Sequence, residues 1–408
     1  MKNVAIRLVI FFVAVCVTLL VLEGVVRLLH AHTTLVSVPV QEPASFLQQN
    51  HELKYVPAPN FGPFPFRVEH IEYELVSNEF GCFEKPYNGE DPYVLLVGDS
   101  FSHHLASLEE KWGSQLEKEL GTRVLQCGVS AYSTTQELGF AKRIVSEIGK
   151  PPRLIVVGYF LNDFAEEMRN RPASALKEAE SPNILSIANA ATDDTQKDTL
   201  PTLGGTNRFI QTTRWLHEHS FLYRLFRIPL KSTLLNIPYL GDQLLDMGVL
   251  QKQATSFDQM LLYEQVAENA ALQESWQAHV ESMRAFKQFA NEQGAELLFV
   301  IIPWKFQVYD FFLASEFPDA AERARVIAEP SRLLQEALGQ EGIHSLDLLP
   351  LFRQQANLEP RKYLSGQEDL FFRFDLHWSP NGQLLAGLLT AEYIKNKALL
   401  ETQEANAP

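Results

Sequence analysis

The chain has 408 residues, 46% of them apolar, which allows one large globular domain or one domain with a sizeable insertion. Its formal net charge is -15 and no dense Lys/Arg cluster is visible, which argues against a nucleic-acid partner, since that needs basic surface to meet phosphates. Its three cysteines, Cys16, Cys82 and Cys127, show no C-x-x-C spacing, which argues against a cysteine zinc site or a thioredoxin-type motif.

The N-terminus reads as a membrane segment. Lys2 and Arg7 precede an unbroken apolar run from Leu8 to Leu22, closed by Glu23 and Arg27. A cleaved signal peptide would need a small-x-small site after the run. Ala31 is the nearest candidate and has Leu29 two places before it, so a retained anchor over residues 1–30 is expected. The basic flank places the rest of the chain outside the cytoplasm, as a single-pass membrane protein. Residues 31–90 form a stalk and lead-in, where Pro39, Pro43, Pro57, Pro59, Pro63 and Pro65 forbid long helices. Cys82 and Cys127 could pair in an oxidising compartment or stand as buried free thiols, and the sequence leaves both open.

From residue 91 to 398 apolar runs alternate with helical patterns. Tyr93–Val97, Val124–Leu125, Leu154–Phe160 and Glu296–Ile302 read as buried strands. Glu109–Leu120, a helix opening with a Thr134/Glu137 capping box and running through Ile148, Trp276–Gln293 and Leu384–Lys397 read as helices. The pattern predicts an α/β fold: a doubly wound, mostly parallel sheet with helices on both faces, of the flavodoxin-like kind. Residues of about 170–270 break the rhythm and read as an insertion, with a polar loop over 181–207 and a poorly patterned helical stretch after it.

Four features fall after strands or in loops that could meet at the carboxyl edge of such a sheet. Gly98-Asp99-Ser100 follows the first strand and can present a serine hydroxyl at a tight turn. Gly128 follows the second strand and can leave a backbone N–H facing an oxyanion. Asn162, before Asp163, follows the third and can add a side-chain amide. Asp375-Leu376-His377-Trp378 supplies a base near neutral pH and a carboxylate to orient it.

Taken together, GDSFS, QCGVSAYSTTQEL, YFLND and DLHWSPNG resemble the four blocks of the SGNH (GDSL-like) hydrolases. The resemblance implies Ser100 as nucleophile, His377 as base, Asp375 as its partner, and Gly128, Asn162 and the Ser100 N–H as an oxyanion hole. Asn78-Glu79-Phe80-Gly81, Val300–Tyr309 and the N-terminal anchor resemble the membrane-anchored members, and D-x-H-W is similar to proteins that O-acetylate exopolysaccharides, alginate included. His103 and His104 stand where members often have glycine, Gln126 where asparagine is expected, and Ala131 where glycine is common. A metal built on His103, His104 and His377 has no ligand spacing behind it, so no metal and no cofactor are expected. The leading expectation is an esterase acting on O-acyl, above all O-acetyl, groups of a carbohydrate or cell-envelope polysaccharide. Acyl transfer through the same acyl-enzyme, or an inactive carbohydrate-binding assembly subunit, are the alternatives. The sequence names no protein partner.

Overall fold

A computed structural model describes residues 2–33, 42–69, 71–89, 92–170, 215–216, 219–226, 257–314, 316–356, 369–373 and 375–401. The expected loop at 181–207, and all but residues 215–216, 219–226 and 257–270 of the stretch after it, lie outside them. The chain divides into two compact units: residues 1–41, 67–70 and 200–253, and the rest.

In the smaller unit, α1 runs Lys2–Thr33. Its Val9–Leu29 segment has a mean hydropathy of 2.8 and is long and apolar enough to cross a membrane. The charges that punctuate it are matched within the same unit. Glu23 accepts hydrogen bonds from Arg27 Nε at 2.7 Å, Phe221 N at 2.9 Å, Leu222 N at 2.8 Å and Ser220 Oγ at 2.8 Å. Arg27 lies 4.7 Å from the Phe221 ring. A carboxylate on an apolar helix is costly unless paired, and this one caps the helical residues 221–226.

The larger unit begins with short strands, as the prolines require. β1 (Leu47–Asn50) and β2 (Lys54–Pro57) pair antiparallel; β3 (Phe64–Val68), whose residues 67–68 are assigned to the smaller unit, and β4 (Ile71–Leu75) follow. Phe46, Leu53 and Val56 are buried, so this part of the lead-in is folded rather than extended. The Asn78–Gly81 motif is a turn: Asn78 Oδ1 accepts from Phe80 N and Cys82 N, both at 3.0 Å. Gly81 has φ +84, and a Cβ there would lie 2.4 Å from Pro57 O. The turn delivers Cys82 to Cys127, with which it forms a disulfide, settling the question the sequence left open.

The main sheet comprises β5 (Tyr93–Gly98), β6 (Arg123–Gln126), β7 (Leu154–Phe160), β8 (Glu296–Ile302) and β9 (His344–Asp347), all parallel, in the order β6-β5-β7-β8-β9. In this sheet's own chain order that is 2-1-3-4-5, the flavodoxin-like order. Every residue of β5 and β7 is buried, which is why both read as unbroken apolar runs. β9, His-Ser-Leu-Asp at the sheet edge, has no such run and no sequence signal.

Helices cover both faces. They are α2 (Trp112–Leu120), α3 (Thr134–Ile148), α4 (Asn162–Asn170), α5 (Phe257–Gln265), α6 (Ala270–Gln293), the single turn α7 (Lys305–Val308), α8 (Ala320–Gln340), α9 (Leu349–Gln355) and α10 (Pro380–Asn396). α2 packs on α10, where a Cβ on Gly387 would lie 2.6 Å from Gln115 Cβ; α3 packs on α6. Four helix starts differ from expectation. α2 begins at Trp112, after the extended Lys111, rather than at Glu109. α3 is capped one residue earlier, with Gln136 Oε1 accepting from Ser133 N at 3.2 Å, while Glu137 is buried instead of capping. α6 starts at Ala270 because Asn269 caps Ala271 N and Leu272 N, not at Trp276. α10 starts at Pro380, with Ser379 as its cap, not at Leu384.

Candidate active site

β5 ends on Gly98, and the chain turns into a single 3-10 turn, Ser100–Ser102. Space for that turn comes from three glycines. A Cβ on Gly98 or Gly158 would lie 2.5 or 2.4 Å from Ser102 Oγ, and one on Gly128 would lie 2.3 Å from the Ser102 carbonyl carbon. These glycines close β5, follow β6 and sit within β7, so the carboxyl ends of three neighbouring strands form a notch for the Ser100–Ser102 turn. Lys111, fully buried, ties it down by donating from Nζ to Ser102 O at 2.9 Å. Burial pushes the Lys111 ammonium down to about 7 against the opposing effect of Glu84.

Ser100 Oγ is only partly buried and lies 2.7 Å from His377 Nε2. His377 Nδ1 lies 2.5 Å from Asp375 Oδ1, and the same oxygen accepts the His377 backbone N–H at 2.8 Å. The serine, base and carboxylate expected from sequence thus form one hydrogen-bonded chain across 277 residues. Burial pulls the imidazole pKa down, but the charge and hydrogen bond of Asp375 and the charge of Asp99 outweigh it, and the net shift is upward. Burial raises the Asp375 carboxyl, yet His377 and Lys305 bring it down to about 2. The pair therefore favours an imidazolium facing a carboxylate, the charge state that must develop when serine gives up its proton.

Asp99 adjoins Ser100. It accepts from Phe101 N at 3.0 Å and lies 3.3 Å from Ser100 Oγ. Burial raises it to about 6, against the hydrogen bonds and the His377 charge that lower it. Glu137 and Asp163 are also buried, without hydrogen-bond partners among the described residues; burial, then the charges of Asp99 and Glu167, raise Glu137 well above its ordinary value, and burial, then Glu137 and Asp99, raise Asp163. Both shifts favour the protonated form.

The His377 loop is held by a lysine that sequence reading did not single out. Lys305, 3% exposed, donates from Nζ to Phe372 O at 2.6 Å, Arg373 O at 2.9 Å and Asp375 O at 3.1 Å. In sequence it is one residue of the Val300–Tyr309 resemblance, a lysine soon after an apolar strand, in Pro303-Trp304-Lys305, which ordinarily reads as a solvated strand end.

Gly128 lies in the loop after β6, against the Ser100–Ser102 turn. Val129 N donates to Gly98 O at 2.9 Å, which fixes Gly128 next to the end of β5, and its own N–H has no partner among the described residues. Asn162 opens α4 directly after β7, and the rings of Phe101 and Phe160 lie 4.5 Å apart. Its Oδ1 is buried without a partner. Gln126 is a packing residue: its Nε2 donates to Glu84 at 2.8 Å and to Ser114 at 2.9 Å. His103 and His104 do not join His377. Both are buried, with His103 Nδ1 2.9 Å from Ser130 Oγ and His104 Nε2 2.7 Å from Glu42.

Residues 257–407 match the family described as ALGX, SGNH hydrolase-like domain, acetyltransferase AlgX. The match includes Asp375 and His377 and supports the resemblance read from the motifs, and with it hydrolase or acyltransferase chemistry. No curated protein matches the sequence. Among solved structures, the chain is similar to TesA (13% identity, 75% of this chain and 99% of that one, TM-score 0.35). It is also similar to the acetyl xylan esterase AlAXEase (11%, 74% and 99%, TM-score 0.36). A third is a variant of Axe2, an acetyl-xylooligosaccharide esterase from Geobacillus Stearmophilus (8%, 78% and 99%, TM-score 0.33). Likeness at these scores carries no conclusion about substrate.

Proposed function

We propose that the protein is a serine-dependent enzyme acting on O-acetyl esters of a carbohydrate or cell-envelope polysaccharide through an acetyl-Ser100 intermediate. The observation that carries this reading is the chain Ser100 Oγ–His377 Nε2, His377 Nδ1–Asp375 Oδ1, with Ser100 open to solvent. Ser100 Oγ attacks the ester carbonyl carbon as His377 Nε2 takes its proton. The oxyanion is met by the Gly128 N–H, the Asn162 amide and the Ser100 N–H, which in the free protein helps to stabilise Asp99. Collapse breaks the bond to the sugar oxygen, which takes the proton from His377. A second hydroxyl, deprotonated by His377, then attacks the acetyl carbon, and Ser100 leaves with that proton.

If the second hydroxyl belongs to water, the reaction is hydrolysis. If it belongs to a sugar, the reaction is transfer, the reading favoured by the word acetyltransferase in the matched family's description. The domain is read as extracytoplasmic, supported by the charge bias around α1 and by a disulfide that needs an oxidising compartment.

The test uses full-length protein in detergent with p-nitrophenyl acetate, with and without an oligosaccharide acceptor. Nitrophenol, free acetate and acetylated sugar are followed separately. Release that persists in folded Ser100→Ala sinks the assignment, and acetylated sugar at the expense of free acetate decides for transfer.

A further inference from the structure

Directly after the nucleophile turn, His103 and His104 converge with Glu42. Each of the three offers a ligand atom, and these atoms all lie within 4.8 Å of one another. His104 Nε2 lies 2.7 Å from Glu42 Oε1. His103 is 1% exposed, and its Nε2 is buried with no hydrogen-bond partner among the described residues. A buried ring nitrogen left without a partner is costly, and the remedy is either water or a metal ion.

The second ring nitrogens are already engaged. His103 Nδ1 meets Ser130 Oγ at 2.9 Å, closer than its 3.3 Å approach to Ser130 N, and His104 Nδ1 lies 3.4 Å from the Tyr73 hydroxyl. A histidine ligand holds its far nitrogen in an outward hydrogen bond of this kind; for His103 that requires Nδ1 to donate to Ser130 Oγ rather than accept from Ser130 N. Aromatic rings wall the group. Phe46 stacks on His103 with centroids 5.4 Å apart, and Phe66 stands edge-on to His104 at 4.8 Å. Glu42 is the one partly open member, with 16% of its side chain exposed.

We propose that Glu42, His103 and His104 bind a zinc ion. Two imidazoles and one carboxylate suit zinc, with bonds of about 2.0 Å and a water completing the tetrahedron. Ligand atoms on such an ion stand ~3.3 Å apart, so the Glu42 carboxylate rotates away from its hydrogen bond with His104 by about half an ångström. The ion fastens the start of the lead-in to the two residues after the nucleophile turn. It does not touch Ser100, and its role is to hold that turn.

Full-length protein in detergent, purified without a polyhistidine tag and stripped with chelator, is titrated with Zn²⁺ alone against a chromophoric competitor while the thermal midpoint is recorded. Wild type should take up one equivalent and gain thermal stability. Glu42→Gln keeps the shape and the capacity to hydrogen-bond His104, and should weaken zinc at least ~100-fold, beyond what loss of an outer partner costs. His103→Gln, checked for folding by circular dichroism, should do the same. Equal zinc affinity in wild type and folded Glu42→Gln, or wild type retaining no zinc after gel filtration, overturns the site.

Discussion

Lys305→Met isolates the support of His377, the proposed base, from His377 itself. The substitution removes hydrogen bonds of 2.6, 2.9 and 3.1 Å to the carbonyls of Phe372, Arg373 and Asp375. A hydrogen bond from a charged donor contributes about 1.5–3 kcal/mol, so the gross loss is about 5–9 kcal/mol. Methionine also relieves the burial of an ammonium, worth several kcal/mol. The net cost to stability is then about 1–3 kcal/mol, a few degrees in thermal midpoint. The larger effect falls on rate. The carbonyls lose their common partner, the segment carrying Asp375 and His377 relaxes, and a displacement of ~1 Å at a reacting group costs about 10²-fold. The expected result is a kcat lower by about 10–100-fold for p-nitrophenyl acetate with KM within about twofold, because Lys305 acts by positioning Asp375 and His377. A folded Lys305→Met protein with wild-type kcat would falsify the positioning role. A rise in KM with unchanged kcat would refute it equally.

If His377 is the base, as proposed, its neutral form is the reactive one; its pKa is raised above the ordinary ~6.5, so the rate should fall as pH drops through that raised value. Asp375→Asn removes the charge that raises it: the acid limb should move to lower pH and the plateau should drop by up to about 10⁴-fold, and superimposable pH profiles would show Asp375 is not the partner. Asn162→Ala should lower kcat by about 10²–10³-fold if its amide meets the oxyanion, measured on the same ester. Replacing Cys82 and Cys127 together by alanine opens a loop spanning 45 residues and should cost about 4 kcal/mol in denaturant unfolding. In protein taken from cells without reductant both thiols should resist alkylation, and prompt labelling would count against an oxidising compartment.

The strands legible in the sequence are the ones buried on both faces. β5, β7 and β8 are continuous apolar runs, and each was readable to within a residue, whereas polar β9 was not. Helix starts slipped wherever the cap was a residue the apolar pattern does not weigh, as at Ser133 and Asn269. Ser100, Asp375 and His377 were legible because the chemistry demands those residue types beside strands or in one loop. Lys305, Glu137 and Asp163 were not, because a charged side chain reads as solvated until the structure buries it. Glu42 was invisible for another reason: it meets His104 across 62 residues with no motif to mark it.

The disulfide changes what a cut in the chain would mean. Cys82 and Cys127 enclose β5, Ser100 and α2. A protease that severs one peptide bond between them leaves two polypeptides that are still one molecule. Whatever membrane or partner holds residues 1–82 then continues to hold residues 127–408, His377 included, through sulfur rather than through the backbone. Detachment of such a nicked protein would require a reductant.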